Sequence, residues 1–388
     1  MTVKANITGA WYSSRNVGDQ AILIAILELL EARVPDLRLQ VICSRADFVR
    51  AEHGLPAISQ TESLLKVLVD VARSDLLVLG GGTPFYDNFK HMAFFWVLAV
   101  LCKLGGGKVA VYGASAQKLN TRPGRWFTRR IMNMADLVTV REEVTADQLR
   151  RLGVNREIHC TADPAITLKP CARPDAEAIL RAEGIPADGR PVFAVCPHFF
   201  SNTDSYRVHH YELFSNDVLQ RQQQVLAEVA AHLAKRGHVM FLPMNTDAPD
   251  SDVDVGREIR ALLPAGTADV HFVERQYRPR EIAGVLSLCK LVVGVRLHSL
   301  ILSAAVETPV VAIDYAPKVN GFLRLLDNAG FSVSVKDLST EAVVRQVERV
   351  LGDYDEQKAA YVGKVRALKK RAEQNADLLA RLVGAPDA

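Results

Sequence analysis

Leu291-Val292-Val293-Gly294-Val295-Arg296-Leu297-His298-Ser299 joins an apolar, β-branched run to a glycine and then to two side chains that carry chemistry. A short continuous apolar run suits a strand buried on both faces, which is the environment of a parallel sheet. Residues just past such a strand lie at its carboxyl edge, where open α/β sheets bind their ligands. Arg296 and His298 are therefore candidates for a functional loop.

The same rhythm extends in both directions. In the first half, strand patterns occupy Val3–Thr8, Leu37–Cys43, Leu76–Leu79, Lys108–Tyr112, Leu137–Val140 and Glu157–His159. Helical patterns fall between them, notably over Asp19–Ala32, Asn88–Leu104 and Thr145–Leu152. The pattern breaks over Thr167–Arg190, where Pro170, Pro174, Pro186 and Gly189 suggest an interdomain linker. A second series follows at Val192–Cys196, His238–Leu242, Val270–Val273, Leu291–Val293 and Val310–Ile313, and two helices close the chain from Thr340. Strands alternating with helices predict an α/β fold of two Rossmann-like, doubly wound domains facing a cleft. The expected limits are 1–170, 190–335 and a helical tail over 336–388. A chain of 388 residues exceeds what one hydrophobic core usually organises, which agrees.

Composition narrows the function. Hydrophobic residues at 49% and charged residues at 23% exclude a disordered chain. A formal charge of +3, with no basic run along a groove-like segment, argues against nucleic acid. Residues 1–10 have no signal-like apolar core, and the apolar run Met92–Cys102 is too short to span a bilayer, so it reads as a buried helix. Six scattered cysteines without a Cys-x-x-Cys pair suit a reducing cytoplasm and suggest no metal site. His209-His210 lacks a partner at metal-ligand spacing and reads as a surface loop.

The strand ends carry the candidates. Asn16-Val17-Gly18-Asp19 follows the first strand; Gly18 permits a tight turn, and the helix start offers either an anion site or a capped end. Gly80-Gly81-Gly82 allows close backbone approach but fits neither a dinucleotide nor a P-loop spacing. Tyr86, Asp87 and Asn88 either read sugar hydroxyls or close a turn. Arg141 either grips an anion or pairs with a nearby Glu, and Asp163 is either a general base or part of an Asp-Pro turn. In the second half, His198, Asn245, Asp247, Arg296, His298, Tyr315 and Lys318 converge on strand ends. Arg, His and Lys at neighbouring edges make an anion pocket with a group titrating near neutral pH. Arg122, Arg125, Trp126, Phe127, Arg129 and Arg130 form a basic aromatic stretch. It reads either as a contact for an anionic membrane or as a solvated helix face with a core-facing Trp.

These segments together resemble the polysaccharide pyruvyl transferase family, from Gly9 to Asp327. The resemblance rests on Asn16-Val17-Gly18-Asp19 with Ala21-Ile22, Gly80-Gly81-Gly82, Arg141-Glu142, Asp163-Pro164-Ala165, Arg296-Leu297-His298-Ser299 and Tyr315-x-Pro-Lys318-Val319. It implies a GT-B-like fold and transfer of pyruvyl from phosphoenolpyruvate to a sugar as a ketal. The acceptors it implies are exopolysaccharide, capsule or secondary cell-wall precursors, or fungal glycans, and a lipid-linked or a free acceptor both stay open. Family residues matching Arg296 and His298 are implicated in donor binding and catalysis. The expected catalytic set is then His298, Arg296 and Asp163. Lys318, Arg141, Asn245 and Tyr315 join Arg296 and His298 on the donor, and Asn16, Asp19, Gly81, Gly82, Asp87 and His198 face the acceptor. No cofactor or metal is expected, because positive side chains can neutralise the leaving phosphate. Two rivals stay open: a GT-B glycosyltransferase using a nucleotide-sugar, and a non-catalytic saccharide-binding protein.

Overall fold

The computed structural model of the chain describes residues 2–9, 11–198, 216–327 and 331–384. It divides into two compact units. The first comprises Met1–Ser14, Ile22–Pro164 and Lys369–Ala388, the second Arg15–Ala21 and Ala165–Leu368.

The first unit holds β1 (Val3–Gly9), β2 (Leu37–Cys43), β3 (Ala57–Ser59), β4 (Leu76–Gly80), β5 (Lys108–Ala114), β6 (Leu137–Val140) and β7 (His159–Cys160). They form one parallel sheet in the order β3-β2-β1-β4-β5-β6-β7, which reverses between β1 and β4. Its helices are α1 (Val17–Arg33) from Ile22 onward, α2 (Ala46–His53), α3 (Leu64–Ala72), α4 (Phe89–Leu104), α5 (Arg122–Met134) and α6 (Glu143–Arg151). β4 is Leu-Leu-Val-Leu-Gly and buried throughout, as a strand covered on both faces must be. α3 to α6 share one core with it, through residues such as Val67, Phe95, Leu98, Ile131 and Leu149.

α4 departs from the expected buried helix. Met92, Phe95, Leu98 and Cys102 turn into the core, whereas Phe94, Trp96 and Leu101 are only partly covered. The apolar run spans more of the helix circumference than one sheet face can bury. Among the described residues no helix is long and apolar enough to cross a membrane.

The second unit holds β8 (Val192–Cys196), β9 (His238–Phe241), β10 (Val270–Phe272), β11 (Leu291–Gly294), β12 (Val310–Asp314) and β13 (Ser332–Ser334). These also form a parallel sheet, ordered β10-β9-β8-β11-β12-β13, with its reversal between β8 and β11. Gly294 lies level with Cys196 on one side and Ala312 on the other, so the residues after these three strands emerge together. Each unit is thus a doubly wound Rossmann-like sheet.

Three sequence expectations change. β3 and β13, three residues each, carry too little periodicity to be read. The supposed linker is folded into the second unit. Its helix Arg173–Ala182 packs on the helix Pro279–Ser287, with Cys171 and Ala176 against Gly284 and the Cys171 N–H on the Arg280 carbonyl at 2.8 Å. The tail is no separate block either. The long helix Tyr354–Leu382 passes from the second unit to the first at Lys369, and its buried Asn375 ties the ends of β6 and β7. Asn375 accepts from Thr139 Oγ1 at 2.5 Å and Thr161 Oγ1 at 2.8 Å, and donates to the Ala162 carbonyl at 3.1 Å.

Candidate functional site

The second unit's site grows from the reversal of strand order between β8 and β11. β8 runs on into His198, β9 into Met244–Asp247, β11 into Arg296 and His298, and β12 into Tyr315 and Lys318. The helix Leu297–Ala305 begins directly after Arg296 and the helix Pro317–Leu325 after Ala316. First-turn N–H groups lack intrahelical partners and the helix dipole is positive there, so both starts favour an anion.

The segment Arg15–Ala21 belongs to this unit although it follows β1 in sequence. Its backbone runs beside the β9 loop: Val17 N–H donates to the Met244 carbonyl at 2.8 Å, and Asn16 pairs with Asn245 as an antiparallel bridge. Arg15 N–H donates to Asp247 Oδ2 at 2.7 Å, and Gln276 Nε2 donates to the Arg15 carbonyl at 3.3 Å. Asn16 Oδ1 accepts from Gly18 N–H at 2.9 Å, closing an Asx turn. Asn16 and Asp19, expected on the acceptor side of the N-terminal domain, therefore stand with the second unit's strand ends. Asp247, another strand-end candidate, ties down Arg15.

That turn sets Gly18 on the His298 imidazole. A Cβ at position 18 would lie 2.1 Å from Nδ1, 2.2 Å from Cγ and 2.7 Å from Cβ of His298. Space, not a left-handed φ, requires the glycine.

Arg296 is more constrained than a free anion clamp. Its Nε donates to both oxygens of Asp252 at 2.8 and 2.7 Å, and its Nη2 to the Asp250 carbonyl at 3.0 Å. Asp252 is fully buried, and its Oδ2 also accepts from Met244 N–H and Asn245 N–H, each at 2.9 Å. A buried carboxylate is held by full pairing, so Asp252 fixes the loop and Arg296 together. Asn245 is absorbed in the same loop: Nδ2 donates to the Asp250 carbonyl at 2.9 Å and Oδ1 accepts from Asp247 N–H at 3.2 Å. These bonds make it part of the loop's own framework.

Across β8 and β12, the buried His198 ring meets Tyr315 edge to face at 4.9 Å. Lys318 Nζ sits 5.5 Å from the Tyr315 ring centroid. Gln222 Nε2 donates to the His198 carbonyl at 3.1 Å and fixes that strand end. Beside them, burial raises the Asp314 carboxyl above its ordinary range, against the opposing pull of Asn320 and the Ala316 N–H. His209-His210 lies outside the described residues.

The remaining candidates lie in the first unit. Arg141 is buried: Nη1 donates to Asp163 Oδ2 at 2.6 Å, Nε to Glu142 Oε2 at 3.2 Å and Nη2 to Thr83 Oγ1 at 3.3 Å. Its guanidinium and the Asp163 carboxylate are thus a buried ion pair. Asp87 accepts from Asn120 N–H at 2.6 Å and from Thr121 Oγ1 at 2.6 Å, which closes the loop before α5. Asn88 caps α4 through His91 N–H at 3.1 Å. Gly81 and Gly82 have positive φ, and a Cβ on Gly81 would strike Ile22 at 2.2 Å. Helix packing and backbone conformation account for Gly81, and backbone conformation for Gly82.

The segments around Gly18, Arg296 and Tyr315 are spread over the stretch that one family model covers. The model of the polysaccharide pyruvyl transferase family matches residues 16–317. The chain belongs to the polysaccharide pyruvyl transferase family. It is 33% identical over 289 residues to the amylovoran biosynthesis protein AmsJ of Erwinia amylovora, which is 73% of this chain and 66% of that protein. The chain thus spans just under two thirds of that relative. Among solved structures, the UDP-GlcNAc 2-epimerase of Neisseria meningitidis superposes with a TM-score of 0.62 at 13% identity, covering 98% of this chain and all of that one. The ADP-heptose lipopolysaccharide heptosyltransferase II of E. coli superposes with a TM-score of 0.52 at 13% identity, covering 91% of this chain and all of that one. This pyruvyl transferase family member therefore has the GT-B-like fold of glycosyltransferases and epimerases.

Proposed function

We propose that the chain transfers the pyruvyl group of phosphoenolpyruvate to two hydroxyls of a sugar in a glycan or glycan precursor, forming a ketal and releasing phosphate. The observation that carries this reading is the seating of His298 on Gly18, which joins two motifs 280 residues apart within one unit. A His with a fixed ring can act as acid and then base in one reaction sequence.

In that sequence a proton adds to the vinyl carbon of phosphoenolpyruvate, delivered by His298. The neighbouring carbon becomes oxocarbenium-like and a sugar hydroxyl attacks it. The bond from that carbon to the phosphate oxygen then breaks, and the second hydroxyl closes the ketal. Of the two hydroxyl protons displaced, one is made up for on the new methyl group and the other leaves with phosphate, so the balance closes. The donor carries a carboxylate and a phosphate. Lys318, Arg296 and the two helix starts supply positive potential for them. Because Asp252 offsets much of the Arg296 charge, Lys318 carries a larger share. Arg141 and Asp163, paired with each other, are left out of this scheme.

The test is phosphate release from phosphoenolpyruvate with diol-bearing glycan acceptors, run beside nucleotide-sugars. A His298→Ala variant that binds phosphoenolpyruvate but no longer turns over supports the reading. Turnover of a nucleotide-sugar instead, or wild-type protein that never binds phosphoenolpyruvate, overturns it.

A further inference from the structure

We propose that the α3–α4–α5 face of the first unit docks on an anionic lipid bilayer, with the first turns of the three helices entering the headgroup layer. Among the described residues, nine large hydrophobic side chains are exposed, and five of them lie in the first two turns of these three helices: Leu64, Leu65, Val69, Phe89 and Trp126, while a sixth, Leu104, closes α4 at its other end. They are 40–80% accessible. A cluster of that kind on one face marks an interaction surface rather than scattered exposure.

The topology gathers them. α3 packs on α4 and α4 on α5, and their inner sides share one core. Each leads into a strand of the parallel sheet, so the three helices run alongside one another in the same sense. Their starts stand at the carboxyl end of the sheet. Leu64 and Leu65 open α3, Phe89 opens α4, and Trp126 sits in the first turns of α5.

Charge selects the occupant. The spans of α3, α4 and α5 hold seven Lys or Arg and a single acid, Asp70. Lys66, Lys90, Arg122 and Arg125 are exposed beside the apolar starts. Among the described residues the four arginines of α5 form no ion pair, and the Arg130 guanidinium lies 5.5 Å from the Trp126 ring centroid. Apolar and aromatic side chains rimmed by cations match a headgroup interface, where the rings enter and the cations meet lipid phosphates. Two copies of this face would repel one another, which disfavours self-association. Docking by this end turns the carboxyl edge of the first unit's sheet, where doubly wound sheets bind ligands, toward the lipid surface. A saccharide acceptor carried on a lipid would be met there.

The experiment is co-sedimentation of the whole chain with vesicles of phosphatidylcholine alone or mixed with phosphatidylglycerol. It needs no catalysis, so its outcome is separate from that of the pyruvyl transfer reading. Binding is expected to the mixed vesicles, not to phosphatidylcholine alone, and to fall with salt. Lys90→Gln with Arg122→Gln, whose side chains make no hydrogen bond among the described residues, is expected to weaken partitioning roughly thirtyfold. Leu65→Ser with Phe89→Ser is expected to weaken it while the salt dependence remains. Both pairs should leave phosphate release with a water-soluble acceptor unchanged. Failure to bind mixed vesicles at low salt overturns the proposal. So does binding that neither pair alters, or a dimer in solution that Leu65→Ser with Phe89→Ser dissolves.

Discussion

Replacing Gly18 by alanine puts a methyl carbon 2.1 Å from Nδ1 and 2.2 Å from Cγ of His298. Non-bonded carbons settle at about 3.5–4.0 Å, so the ring must retreat by about 1.4 Å. Turning the ring does not relieve the clash, because His298 Cβ is itself 2.7 Å from the added atom and is anchored to its helix. Either that helix start or the Arg15–Ala21 segment has to shift. Overpacking of this kind costs about 1–3 kcal/mol of stability. A misplacement near 1 Å of a reacting group costs about a hundredfold in rate. Gly18→Ala is therefore expected to lower kcat for phosphate release about a hundredfold, with a smaller change in phosphoenolpyruvate affinity by calorimetry. Gly352→Ala, where nothing lies near the added carbon, is the control and should leave turnover unchanged. If Gly18→Ala keeps kcat within about threefold of wild type, the packed glycine does not organise His298 for turnover and the reasoning fails.

Asp252→Ala strips Arg296 of its carboxylate and two backbone N–H groups of their acceptor; urea unfolding should show a loss of about 3–5 kcal/mol. Lys318→Met should weaken phosphoenolpyruvate binding roughly ten- to hundredfold by calorimetry, as loss of a charge-assisted contact does, with the unfolding midpoint little changed. His271 gives a pH dependence. Burial, then the neighbouring His238, depresses its pKa below the ordinary 6.5. The unfolded chain binds that proton more readily, so this contribution to stability is complete above 6.5 and is lost as pH falls toward the folded value. His271→Gln should flatten the acid limb of the Tm profile below pH 6.5, and an unchanged limb would refute the assignment.

Strand ends were the legible part of the sequence. Buried parallel strands need unbroken apolar runs, so β4, β8 and β11 announce themselves, and the residues beyond them follow. His298, Lys318 and Tyr315 stand out as candidates for that reason. Asp252 was not, because Ser251-Asp252 at a helix start looks like ordinary first-turn acid. Only the fold shows that its partner, Arg296, is 44 residues away. Gly18 reads in the sequence as a turn glycine; its contact with His298 has no local signature. Arg141 and Asp163 were each legible as charged strand-end residues, but sequence cannot say that they neutralise each other. The exposed half of α4 was hidden by its own composition, since an apolar run does not state how much of it a sheet will cover.

Asn375 also bears on the order in which the molecule can be completed. It reaches the first unit's strand ends from a position 214 residues beyond Thr161. At ribosomal speeds that separation is about 10–40 s of synthesis. Through that interval the β6 and β7 hydroxyls wait for a partner that has not yet left the ribosome. The amino-terminal unit is therefore begun first and finished last. A fragment cut after Pro164 would carry the sheet without its closing bonds, and dissecting the chain at its midpoint would not yield two self-sufficient halves.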